Sequence, residues 1–246
     1  MERVQDVLIY DIETAGVNAL NADLGYIITF GYIWLSDFEK GKKFKTISIG
    51  DFPEFKKDPH NDKRLVQEAL KIMSKAGGLI HHYGNKFDMP YIRTRAIIHG
   101  LDPLPDIQTL DTCFLAYKKL KLSSNRLANV CRVFNCKYRK IEKKDGWPTW
   151  WMAYLRGDLK YDKPMREYCG YDVMALADVS LKLRPYWPRS FTNALYPKTK
   201  TLHCRACGNE KLYKHDIVLF RREVHQRYRC TNCGSNSNYQ KLKGTK

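Results

Sequence analysis

The stretch Leu8–Gly16 reads LIYDIETAG, and its interpretation decides the fold. A run of strand-forming residues leads into a core and ends in two carboxylates one residue apart, Asp11 and Glu13. Side chains alternate between the two faces of a strand, so positions i and i+2 point into one small volume. Acids seldom enter a core without a partner. Two accounts fit these nine residues. One is a turn, because Asp, Gly and Asn crowd the residues that follow. The other is a divalent cation, which needs more oxygen ligands from elsewhere in the chain.

Working outward, the chain has 246 residues, enough for one full-sized domain and a small appendage. An apolar fraction of 43% with plentiful aromatics argues for a folded protein rather than disorder. No apolar run follows Met1-Glu2-Arg3, so no ordinary signal peptide is expected and the protein reads as soluble and not secreted. The longest apolar stretch, LGYIITFGYIWL from Leu24 to Leu35, is too short to cross a bilayer and reads as a long core strand. Charge is uneven. Residues 1–190 carry 31 Lys/Arg against 23 Asp/Glu, or +8, whereas residues 191–246 carry 12 against 3, or +9. So dense a positive charge in a short tail makes a polyanion the leading partner. Of eight cysteines, Cys113, Cys131, Cys136 and Cys169 are scattered and the other four form two tight pairs. Metal thiolates and buried free thiols in a reducing compartment are the better reading than disulfides.

The pattern predicts strands over Val4–Tyr10, Gly25–Trp34 and Phe44–Gly50, forming a short antiparallel meander. A helix over Lys63–Ala76 carries an apolar stripe through Leu65, Val66, Ala69, Leu70, Ile72 and Met73, and Gly77-Gly78 stops it. A strand over Gly78–Gly84, a helix over Lys86–His99 and a short strand over Ile107–Thr109 follow. Helices are expected over Asp111–Tyr117 and Asn125–Phe134, the second capped by Ser123 or Ser124. Lys137–Lys144 reads as a basic link. A Trp-rich patch, Gly146–Trp151 with Trp147, Trp150 and Trp151, opens a short helix of no evident role. A long helix over Tyr161–Leu183 ends at Pro185 and Pro188. The order predicts an α/β fold, a mixed sheet with helices packed on it.

Further carboxylates stand on these elements. Asp88, in HYGNKFDMPYIRTR, falls in the first turn of a helix, where capping alone could account for it. Asn85 and Lys86 stand beside it at the end of a strand, a position that suits substrate contact or plain solvation. Tyr168 and Asp172, four apart on the last helix, share a face. Asp172 lies beside a core stripe of Met165, Cys169, Val173, Leu176 and Leu183, whereas Asp178 faces away and is expected to be exposed. Asp111 reads as a helix cap. His81 and His82 are adjacent in a strand and so face opposite ways.

Taken in order, these residues resemble the DEDD superfamily of 3′–5′ exonucleases, in the branch related to the proofreading exonuclease domain of family B DNA polymerases. The first motif, aspartate-x-glutamate, is met by Asp11 and Glu13. The second is met by Asn85, Phe87, Asp88 and Pro90, and the third, tyrosine-x-x-x-aspartate, by Tyr168 and Asp172. The histidine-bearing branch would place a histidine where Glu167 stands, so the tyrosine branch is favoured. The resemblance spans nearly all of residues 4–187 and implies a ribonuclease H-like domain over residues 1–190, with a mixed five-stranded sheet flanked by helices. It implies two Mg²⁺ or Mn²⁺ ions, with Asp11 bridging both, Glu13 and Asp172 on the nucleophile-side ion, and Asp88 supporting the second through water. Tyr168 would orient the attacking water, since a phenol is a poor base at neutral pH. The implied partner is nucleic acid, DNA sooner than RNA. A catalytically silent binding or scaffold protein and a structure-specific endonuclease remain as alternatives.

The tail holds LHCRACGN and YRCTNCGS, which place Cys204, Cys207, Cys230 and Cys233 as two CxxC-G knuckles. This spacing predicts one tetrahedral Zn²⁺ in a ribbon over residues 198–246, with a hairpin between the knuckles. His203, His215 and His225 could compete as ligands, though a Cys₄ set needs none. Arg205, Arg221, Arg222, Arg227 and Arg229 alternate with Tyr213, Phe220 and Tyr228, which suits phosphate tracking and base stacking. A structural cap, or a docking knob for a replication or repair protein, is the alternative.

Overall fold

The computed structural model describes residues 5–140, 148–195, 202–220, 223–236 and 238–242. Strand β1 (Val7–Gly16) leads into β2 (Gly25–Trp34), helix α1 (Leu35–Glu39) and β3 (Lys45–Ser48). Helix α2 (Lys63–Met73), β4 (Gly78–His81), α3 (Asp88–Ile98) and β5 (Thr109–Asp111) follow. Then come α4 (Thr112–Lys119), α5 (Leu127–Val133), α6 (Pro148–Leu155), α7 (Asp162–Lys182) and α8 (Arg189–Leu195). The first five strands form one mixed sheet in the order β3-β2-β1-β4-β5. Strands β3, β2 and β1 run antiparallel, as the alternation predicts, whereas β4 joins β1 in parallel and β5 joins β4 in parallel.

Alternation along β1 sorts two cores. Leu8, Tyr10 and Ile12 pack with Leu65, Val66 and Met73 of α2 and with Met89 and Ile92 of α3. Val7 and Ile9 pack on the other face with Leu115 of α4, Val130 of α5, and Val173 and Leu176 of α7. By the same alternation Asp11 and Glu13 continue the second face, the one that α7 covers. The α7 stripe is as predicted, with Met165, Cys169, Val173 and Leu176 all buried.

Several boundaries differ from the sequence expectation, each for a tertiary reason. Strand β1 does not stop at Tyr10: it pairs with β2 as far as Gly16 opposite Gly25, with a bulge between Glu13 and Thr14. Its pairing with β4 ends at Ile9 opposite Ile80, so the acids lie where β1 outruns its parallel neighbour. Strand β5 begins at Thr109, because Leu79 and Ile80 set its register, and Asp111 is both its last residue and the cap of α4. Helix α3 starts at Asp88 rather than Lys86. Neither Ser123 nor Ser124 caps α5, whose N-cap is Arg126 without a side-chain bond. Trp147 and the far half of the basic link lie outside the described residues.

A buried polar cluster that no local pattern announced ties α2 to α3. Arg95 donates from Nε and Nη2 to the carboxylate of Asp62 at 2.6–3.1 Å. Asp62 also accepts from the Ile27 amide at 2.7 Å, and Arg95 Nη1 donates to the Ala22 carbonyl at 3.1 Å. At the start of α7, Asp162 accepts from Tyr154 Oη at 2.9 Å and from Arg166 Nε at 2.6 Å, joining α6 to α7.

The tail forms a second sheet of three antiparallel strands, β6 (Leu212–Phe220), β7 (Glu223–Cys230) and β8 (Asn238–Lys241), in that order. The predicted hairpin is β6–β7; the added strand β8 comes from a polar segment without alternation. Among the described residues no helix is long and apolar enough to cross a membrane.

Candidate active site

Asp11 lies opposite Gly31 in the β1–β2 register. A Cβ at Gly31 would sit 2.7 Å from Cys169 Sγ of α7, so the absence of a side chain there lets the helix close onto the sheet. Cys169 Sγ lies 3.6 Å from the Asp11 carbonyl. One turn later the helix presents Asp172. Asp11, Glu13 and Asp172 each bring a carboxylate oxygen to within 4.8 Å of the others.

Asp88 reaches the same neighbourhood from the opposite face of the sheet. Beyond Ile9 the edge of β1 has lost β4, and the Ile12 amide donates to Asp88 Oδ1 at 3.3 Å. Asp88 is not among the three acids that cluster, so the four predicted acids divide into a close trio and a neighbour. Burial pushes the Asp88 carboxyl up to about 7, with Asp111 adding repulsion against its amide bonds. Burial likewise raises Asp11 well above the carboxylate range, followed by the charges of Asp88, Asp172 and Glu13. Acids held in this way favour a proton or a cation, and hard oxygen donors select hard divalent ions. The trio fits a divalent metal by its donor chemistry.

Two neighbours were not foreseen. Lys140 Nζ donates to Asp172 Oδ2 at 2.8 Å and stands 4.9 Å from the Tyr168 ring centre. Burial alone would depress that ammonium, but Asp172 more than offsets it and the net shift is upward. On another side of the ring, Trp150 of α6 meets Tyr168 edge-on, with centroids 6.4 Å apart at 88°, and itself stacks with Trp151 and Tyr161. Trp150 of the Trp-rich patch therefore packs against the tyrosine of the third motif. Tyr168 is buried, and burial followed by Asp172 and Glu13 raises its hydroxyl above the ordinary phenol value, which disfavours the phenolate. The basic run before the third motif and the Trp-rich segment were the available signals; nothing local showed which cation or which ring would arrive.

The turn after β4 is equally constrained. Asp111 accepts from the amides of Tyr83 at 3.0 Å and Asn85 at 3.1 Å, as well as capping α4. His81 is buried and lies between Tyr10 Oη and Asn85 Oδ1, 3.0 Å from each. His82, half-buried, is bonded to Thr112 Oγ1 and the Asn125 carbonyl at 2.9 Å. Asn85 and Lys86 are exposed. Asp178 is half-buried rather than exposed as expected: it accepts from the Lys137 amide at 2.6 Å and anchors the start of the basic link.

In the tail, the sulfurs of Cys204, Cys207, Cys230 and Cys233 lie within 4.8 Å of one another, with 3.6 Å between Cys204 and Cys233 and between Cys207 and Cys230. A tetrahedron with Zn–S bonds of 2.3 Å has S–S edges of roughly 3.8 Å, so the set fits zinc. Gly208 and Gly234, at φ +74° and +70°, make the two knuckle turns. Asn209 and Asn232 donate side-chain N–H groups to Cys230 and Cys207 at 3.5 and 3.6 Å, which suits thiolates. None of the three histidines belongs to the cluster. Of the aromatic and basic residues expected to face a polyanion, Arg205, Arg229 and Tyr213 are exposed. Arg227 is held by Asp216, and Tyr228 Oη donates to Gln240 Oε1 at 2.7 Å. Arg221, Arg222 and the Phe220 side chain lie outside the described residues.

Comparison with known proteins agrees with the architecture. No curated protein matches the chain. Among solved structures, the family B DNA polymerase of the hyperthermophilic archaeon Pyrobaculum calidifontis is similar, with a TM-score of 0.51 over 74% of this chain at 12% identity. The matched part is 25% of that polymerase's length, and at this identity the likeness is one of fold. The profile of the RNase H superfamily matches residues 8–184, the segment that contains the five-stranded sheet, the acidic trio and α7. The chain belongs to the RNase H superfamily.

Proposed function

We propose that the protein is a metal-dependent 3′–5′ exonuclease of the DEDD type, tyrosine branch, acting on unpaired 3′ ends of nucleic acid, DNA in preference to RNA. In this reading residues 1–190 form the nuclease domain and residues 198–246 a ribbon around one Zn²⁺. The observation that carries it is the meeting of Asp11, Glu13 and Asp172 oxygens within 4.8 Å, with Tyr168 one helical turn from Asp172.

Asp11, Glu13 and Asp172 would hold the divalent ions, Mg²⁺ or Mn²⁺, with Asp88 supporting the second. Divalent ions bound there would supply a hydroxide nucleophile and charge stabilisation for the leaving oxygen of an in-line displacement. The chain's own residues do the rest. Tyr168 keeps its proton, because burial and adjacent acids raise its hydroxyl, so it acts as a hydrogen-bond partner that orients water. Trp150 holds the ring of Tyr168. Lys140 balances part of the negative charge at Asp172. Asn85 and Lys86 stand where a terminal nucleotide enters, at the carboxyl ends of the parallel strands. Products are nucleoside 5′-monophosphates. The basic ribbon serves as a second contact with nucleic acid or with a replication or repair protein. Eight cysteines, none in a disulfide, fit a reducing compartment.

The test is degradation of end-labelled single- and double-stranded DNA and RNA with Mg²⁺ or Mn²⁺, against chelator and Asp11→Asn. Mononucleotides released from the 3′ end support the reading. Internal fragments make the protein an endonuclease, and binding without cleavage makes it a silent relative.

A further inference from the structure

At the end of the sheet that carries the acids, two exposed tyrosines, Tyr83 and Tyr117, flank the half-buried ring of Phe114. Tyr83 is the second residue past β4, is 51% exposed, and holds φ at +65°, a left-handed state unfavourable for a side-chain-bearing residue. The turn enforces it. Its amide donates to Asp111, and its carbonyl accepts from the Lys86 and Phe87 amides at 3.0 and 3.2 Å. The Tyr83 ring stacks on Phe114 of α4, with centroids 5.9 Å apart and planes inclined by 25°. Tyr117, three residues along α4 on the same face, is 69% exposed. Core packing explains none of this, because burial would turn such rings inward.

Place and charge say what these rings receive. The parallel pairing of β1 and β4 ends at Ile9 opposite Ile80, so Asp11, two residues further along β1, and the Tyr83 turn, which follows β4, leave the sheet at the same end. Asp88 closes the same turn. Lys86 on the same turn as Tyr83, Lys118 next to Tyr117 on α4, and Lys121 two residues past that helix are exposed. Flat rings interleaved with cations complement a strand of unpaired bases and phosphates.

We propose that Tyr83, Phe114 and Tyr117 are a base-stacking track for the nucleotides immediately upstream of the 3′ end held at the acids. This rests on the nuclease reading above. Stacking on a π-face tolerates every base, so the track grips single strands without reading sequence, and a paired duplex end has to fray before entering.

The test is fluorescence-anisotropy binding by the full chain, with Mg²⁺ and Mn²⁺ withheld so that nothing is cleaved, of a short labelled oligothymidylate and an abasic strand of equal phosphate count. Tyr83→Asn keeps a residue that tolerates the left-handed backbone while removing the ring, and Tyr117→Ala removes a ring on a surface helix. Each variant is expected to weaken binding of the base-bearing strand by roughly 10-fold. Binding of the abasic strand and the salt dependence stay unchanged, because no phosphate contact is lost. Equal affinity of wild type and both variants for oligothymidylate overturns the track while leaving the nuclease reading intact, as does an equal loss on the abasic strand. A wild-type chain that binds neither strand at low salt also overturns the track, whereas the nuclease reading stands or falls by the degradation assay above.

Discussion

Replacing Asp11 by Asn should stabilise the protein without metal and destabilise it relative to wild type with metal. The Asp11, Glu13 and Asp172 oxygens lie within 4.8 Å of one another. Two unit charges at that separation repel by roughly 3–4 kcal/mol at an effective dielectric of about 20. Asp11 faces two of them, but Lys140 offsets part of the field at Asp172, and partial protonation of Asp11 relieves more. A net gain of about 1–3 kcal/mol is therefore expected for Asp11→Asn in chelator at pH 8. With Mg²⁺ at about 100 times its dissociation constant, wild type gains about 2.7 kcal/mol and the variant, short of a ligand, far less. Urea unfolding followed by fluorescence of the five tryptophans, with and without Mg²⁺, measures both. A residue that merely packs would destabilise under both conditions. Loss of stability in chelator, or equal stabilisation of both proteins by Mg²⁺, refutes the metal-site assignment.

Other outcomes follow from the same geometry. Tyr168→Phe should lower kcat by roughly 10²-fold. Trp150→Leu should lower kcat in the wild-type background but cost little more in Tyr168→Phe, because its edge contact acts through that ring. His81 is held down to about 4 by burial, so it folds neutral. Its contribution is complete above the unfolded value near 6.5 and disappears as pH falls from there to about 4, a loss with a ceiling of about 3 kcal/mol. Stability curves of wild type and His81→Gln should diverge across that window and run parallel above it. Cys207→Ser, or a strong zinc chelator, should abolish the folded signature of residues 202–242 in amide exchange while the five-stranded sheet keeps its protection.

The short-range features were legible before any fold was known. Alternation marked β1 and β2, the 3.6-residue stripe marked α2 and α7, and two CxxC-G knuckles marked the sulfur cluster, because each is a pattern within a few turns or residues. The identity of the converging acids was also legible, since Asp11 with Glu13 and Tyr168 with Asp172 each share a face of one element. What local spacing could not encode is distance between elements. That β1 outruns β4 and leaves the Ile12 amide for Asp88 depends on strand lengths in two separate segments. That α7 comes close enough to join Asp172 to Asp11 depends on a glycine in β2. Lys140 and Trp150 read as a solvated link and an idle patch, yet both pack on Tyr168. Asp62 with Arg95, and Asp111 beneath the β4 turn, are buried charges whose partners come from remote segments. A residue's own neighbours in the chain determine its periodicity and its caps. Which charges and rings meet across the core is determined by the stacking order of strands and helices, and that exists only once the chain has folded.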